Sequence, residues 1–162
     1  MTAMPELAAR SPTGGTLAPA LHTAHEVWLR RTDRFLLPVT LQDAPFWARW
    51  TAVRYLADQF QSQHSRELTL LYELRRFLSQ DVADRLTRDG EKIGGLLAEL
   101  DRVGRRRGAA RTVSVLSQTL LDLLRAWCAD IEAAAGWIPL DRLTVEGYES
   151  LAQMERYSSV YV

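Results

Sequence analysis

From about residue 20 onward, apolar residues recur with a period near 3.6 and almost nowhere alternate with period two, which predicts helices rather than strands. A first helix is expected over 20–37, with Leu21, His25, Trp28, Thr32 and Phe35 or Leu36 on one stripe and Pro38 closing it. After a short loop, Asp43 and Pro45 look like the start of a second helix reaching Leu78. Its inward row would be Trp50, Val53, Ala57, Phe60, His64, Leu68, Leu71 and Leu74 or Leu78. Ser79 or Asp81 would cap a third, carrying Val82, Leu86, Gly90, Ile93, Leu97 and Leu100. Beyond the GRRRG break at 104–108, a fourth carries Val113, Leu116, Leu120, Leu124, Trp127, Ile131 and Ala134. Pro139 and Asp141 introduce a shorter fifth through Leu143, Tyr148 and Leu151.

Four long amphipathic helices with short connections bury their stripes most economically side by side. The expected fold is all-α: an antiparallel four-helix bundle with a short fifth C-terminal helix and a flexible N-terminal arm. Residues 1–19, rich in Pro, Gly, Ser and Thr without helical period, form the arm. The bundle is expected over 20–157 and a frayed tail over 158–162.

Composition narrows the function classes. The 162 residues are 47% hydrophobic, 25% charged and formally neutral, an ordinary globule without the basic excess that nucleic acid or anionic membranes require. Lys92 is the only lysine, an arginine and alanine bias typical of a high-GC bacterial genome. Cys128 is the only cysteine, so an intrachain disulfide and a multi-cysteine zinc site are both excluded. No apolar run approaches the ~20 residues of a membrane span, and the N-terminus lacks the pattern of a signal peptide. A cytoplasmic protein with neither nucleic acid nor membrane as partner is expected.

Three stretches read together carry a likeness: HSRELTLLYELRRFL, DVADRLTRDGEKIGGLLAELDRV and LLDLLRAWCADIEAAAGWIPLDRL. In spacing and flavour they resemble the hemerythrin-like (HHE cation-binding) family of four-helix bundles, over residues 20–143. The resemblance implies two iron atoms held by a histidine on the first helix, His-x-x-x-Glu on the second, a histidine on the third and His-x-x-x-Glu or Asp on the fourth. This chain departs from that pattern. Leu68 stands four residues after His64, and Glu67 comes one step early, ~100° around the helix. Gly90 takes the third-helix histidine position, and Trp127 and Ile131 take those on the fourth. Only His25 and His64 align with ligands, with His22 off the stripe. A buried carboxylate without a metal is costly to keep ionised, so acids giving way to Leu and Ile fits a lineage that gave up iron.

The expectation is therefore a metal-free descendant with no cofactor. An apolar pocket replaces the iron centre, lined by Trp28, Phe60, Glu67, Leu68, Gly90, Trp127 and Ile131. His25, His64 and Tyr72 are the candidate catalytic residues, either histidine being able to serve as a general base. The bland alternative makes His64 a neutral core histidine bonded to a hydroxyl or carbonyl; another has the two histidines hold one metal or a haem. Cys128 reads as a small buried hydrophobe, and Arg105, Arg106 and Arg107 as a solvated loop screened by Glu99 and Asp101. Three functions follow. One is a small organic molecule bound in the core, with cofactor-independent chemistry of bacterial secondary metabolism. Another is a regulatory or protein-interaction module, including a homodimer, and the third is residual metal or haem binding.

Overall fold

The computed structural model describes residues 15–41 and 43–160, with side chains as far as Met154, and is all helical apart from one isolated bridge between Thr16 and Pro139. Helix α1 spans Ala18–Thr40. Helices α2 (Phe46–Tyr55) and α3 (Gln61–Leu74) are joined by a π turn, Leu56–Phe60. Helix α4 spans Gln80–Gly104, α5 Ala110–Ala135 and α6 Val145–Val160. No described helix is long and apolar enough to cross a membrane.

The rows on α1, α4 and α5 fall where the 3.6 period puts them. Leu21, His25, Trp28, Thr32 and Leu36 are buried, as are Leu86, Gly90, Ile93, Leu97 and Leu100, and Leu120, Leu124, Trp127 and Ile131. Hydrogen bonds fix the helix directions. His25 meets Glu132, Asp33 meets Arg125 and Thr40 meets Ser114, so α1 runs antiparallel to α5. Likewise Thr32 meets Tyr55 and His25 meets Glu67, so α1 opposes α2 and α3.

Boundaries differ from expectation at three places. Pro38 does not end α1; the helix continues to Thr40. Proline forfeits a single backbone bond, and the added turn buries Val39 and offers the Thr40 carbonyl to the Ser114 hydroxyl. Pro45 rather than Asp43 occupies the cap position of α2, with no side-chain bond. The end of the expected arm is docked: Leu17 is fully buried, its amide bonded to the Ile138 carbonyl at 2.9 Å, and the Leu140 amide bonds Gly15 at 2.9 Å. Residues 1–14 of that arm, and 161–162 of the expected tail, lie outside the described residues, while α6 continues to Val160. Ser79 does cap α4, accepting the Val82 amide.

The π turn has the largest consequence. Inserting one residue turns every preceding side chain by ~100°. In the expected row Val53 stays buried, but Trp50 and Ala57 give way to the buried Arg49 and Leu56, and Trp50 is 47% exposed.

Candidate functional site

Two histidine environments lie close together in the molecule, and they are opposite in character. The first is built around His25. Its row on α1 points it between α3 and α5, where Nε2 lies 2.7 Å from Glu67 Oε1 and Nδ1 lies 2.8 Å from Glu132 Oε1. A carboxylate facing each ring nitrogen favours the imidazolium, which donates from both. Burial alone would lower the His25 pKa, but the charges and hydrogen bonds of Glu67 and Glu132 outweigh it and raise it above its ordinary value. His25 and Glu67 are essentially inaccessible, and Glu132 is half-buried. The second oxygen of Glu132 accepts from the exposed His22 at 3.2 Å, so a hydrogen-bonded chain runs from the surface to Glu67.

Beside this charge cluster the interior is packed with rings. Trp28 lies 5.0 Å from Phe60 and 6.3 Å from Trp127, centroid to centroid. The Trp127 indole donates to the Leu86 carbonyl at 2.8 Å. A Cβ at Gly90 would come within 2.7 Å of the Trp127 ring and 2.8 Å of Leu68, so glycine there makes room for the indole. The expected pocket residues Trp28, Phe60, Leu68, Gly90 and Trp127 thus pack closely against one another. Glu67, also expected on an apolar wall, is instead buried against His25.

The second environment is built around His64. Its Nε2–H donates to the Gly90 carbonyl at 2.7 Å, leaving a lone pair on Nδ1. Burial lowers its pKa; the Gly90 carbonyl and the Glu67 charge counter this without reversing it. His64 is neutral. It also forms part of the wall of a groove of about 560 Å³, with Leu56 and Ala57 from the π turn, Val53, Gln61, and Gly94, Leu97, Ala98, Asp101 and Arg105 from α4. π turns inside helices recur at functional sites because they re-aim side chains.

Tyr72 belongs to neither environment. Eight residues after His64 it has rotated ~80° off the row, and it is 57% exposed with the Arg75 guanidinium 3.7 Å from its ring centroid. Cys128 is buried, and burial followed by the Glu67 and Glu132 charges pushes its thiol well up, so it is no nucleophile.

Sequence reasoning missed Glu67 and Glu132 as partners of His25. The signal was present: Phe60, His64, Glu67, Leu71 and Leu74 alternate steps of four and three, an inward row as good as the one through Leu68.

The residues do not fit a di-iron centre. Leu68, Gly90, Trp127 and Ile131 supply no donor, and both His25 nitrogens are engaged by carboxylates. Among the described residues no three His, Cys, Asp or Glu side chains are grouped to hold a metal ion. Compared with known proteins, the chain matches no family model, no curated protein and no solved structure.

Proposed function

We propose that this protein is a metal-free, hemerythrin-like four-helix bundle that binds a small organic molecule in the groove between the π turn and α4. The observation that supports it most is His64: a neutral imidazole with one nitrogen fixed by the Gly90 carbonyl, on the wall of a 560 Å³ groove. That volume suits a small ligand. Val53, Leu56, Leu97 and Ala98 give the groove apolar contact, and Gln61, Asp101 and Arg105 give it polar groups. A neutral imidazole beside a bound molecule can accept a proton and return it, which is cofactor-independent acid–base chemistry. The groove, rather than the ring-packed space between Trp28 and Trp127, is the place for it.

The test is a titration of isotopically labelled protein with a panel of small aromatic and aliphatic acids, followed by amide shifts. Shifts centred on Ala57, Gly94, Leu97 and Ala98 are expected. Gly94→Leu, which fills the groove, should abolish them, and His64→Ala should weaken them. Shifts elsewhere, or insensitive to Gly94→Leu, would refute the assignment.

Exposed aromatic residues favour a second function, a protein-interaction module. Phe46, Trp47 and Trp50, at 53%, 70% and 47% exposure, sit together at the start of α2, and large exposed apolar groups in one place mark interaction surfaces. Light scattering on wild type and Trp47→Ser decides it. A concentration-dependent dimer that Trp47→Ser dissolves supports the module, and a monomer at all concentrations argues against self-association.

A further inference from the structure

Arg49 is the only arginine buried among the described residues, at 8% exposure. The π turn put it there, in the inward position that a regular helix would have given to Trp50. A buried guanidinium is ordinarily matched by a carboxylate, because an uncompensated charge in the interior is costly. Arg49 has no such match among the described residues. Its NH1 makes a long 3.4 Å bond to the Arg106 carbonyl, its guanidinium lies 5.4 Å from the Phe46 ring centroid, and its Nε is buried without a partner. Exposed arginines of the chain fare better: Arg30, Arg102, Arg105 and Arg125 all hold acids.

The bond to Arg106 brings Arg49 against the turn from α4 to α5, where Arg105, Arg106 and Arg107 follow one another. Asp101 takes Arg105 and Glu99 takes Arg102, but neither Arg106 nor Arg107 has an acid within ion-pair distance among the described residues. Helix α5 begins at this same turn with Ala109 at its cap, without a capping side chain and without an acid in its first turn. Its amino end therefore adds partial positive charge and uncapped amides to the corner. Gly108, at φ +77°, makes the reversal that brings the loop back to that end.

We propose that this corner is an oxyanion site, taking a phosphate-type group with Arg49 beneath it and Arg106, Arg107 and the first turn of α5 around it. The anion supplies the counter-charge that Arg49 lacks. Arg105, which precedes Arg106 in the turn, lies on the wall of the groove, so the corner adjoins it and is placed to hold the phosphoryl end of a larger ligand. The site stands without that ligand, however, because it rests on Arg49 and not on His64.

The test is calorimetric titration of the full-length protein with inorganic phosphate and with phenyl phosphate, at constant ionic strength. Saturable binding and a phosphate-dependent rise in Tm are expected. Arg49→Met should weaken binding by about tenfold or more, the loss of a charge-assisted hydrogen bond, without lowering Tm in the absence of phosphate. Should that variant fail to fold, Arg106→Gln/Arg107→Gln decides, since both side chains are exposed and their replacement spares the fold. Equal affinity for the two ligands identifies a free-ion site, and tighter phenyl phosphate an organic phosphomonoester; both support the proposal. Absence of saturable binding at millimolar phosphate, or binding unchanged in the loop variant, overturns it.

Discussion

At the scale of single residues, the charge cluster is the feature on which stability turns. His25 bridges Glu67 and Glu132 where little water reaches, and such a pair is worth less than the loss of one partner costs. His25→Leu leaves Glu67 buried without its partner, and should destabilise the protein by roughly 3–5 kcal/mol in urea denaturation. His25→Leu/Glu67→Leu should recover most of that loss. If the double variant is as unstable as the single, the cluster is not what the geometry says. The two histidines also predict opposite pH dependence. The His25 pKa is raised above 6.5, so its contribution is full below that value and is lost as pH rises through the folded-state pKa. The His64 pKa is lowered below 6.5, so its contribution is full above that value and is lost as pH falls. Denaturation midpoints from pH 5 to 9 should therefore show a fall on the alkaline side that His25→Leu removes. A fall on the acid side should disappear in His64→Gln. An alkaline limb that survives His25→Leu would assign it to another group.

At the scale of elements, the two kinds of glycine on α4 give a paired test. A Cβ at Gly95 meets nothing within 4 Å, whereas one at Gly90 meets Trp127 and Leu68 below 3 Å. Gly95→Ala should therefore stabilise by up to ~1 kcal/mol, the helix-propensity difference. Gly90→Ala should destabilise by about 1–3 kcal/mol, because the indole is held by its bond to Leu86 and cannot withdraw. Thermal melts of both variants check the contrast, and a stabilising Gly90→Ala would show that Trp127 is free to move. The helices themselves were legible in the sequence, since apolar period, caps and breaks are local properties; the rows on α1, α4 and α5 needed nothing more. The π turn was not legible, because nothing in LADQF distinguishes hydrogen bonds spanning five residues from those spanning four. That one insertion separates the expected Trp50 row from the observed Arg49 row. The pairing of Glu67 with His25 was hidden for a different reason: it depends on which helix lies opposite, and a His-x-x-x-Glu template looked only four residues along.

At the scale of the whole molecule, closure depends on one short segment, 136–144, that ties four elements together. Ahead of α1, Leu17 bonds Ile138, and the Ala18 amide bonds the Gly136 carbonyl. At the end of α3, Glu73 accepts from the Thr144 hydroxyl, and Arg76 just beyond it donates to the Arg142 carbonyl. The same Thr144 hydroxyl accepts the Gly147 amide at the start of α6. Leu17, Ile138 and Leu151 are fully buried, so the apolar seal and the backbone ties reinforce each other. Leu17→Ala removes one methine and two methyl carbons from that seal and should cost about 2–5 kcal/mol if the molecule unfolds as one cooperative unit. Hydrogen exchange distinguishes a local from a global effect. If the segment anchors the whole, protection should fall together in α1, α3 and α5. Loss of protection confined to 15–21 and 136–151 would instead mean that this end opens independently, leaving the His25 cluster to hold the remaining helices.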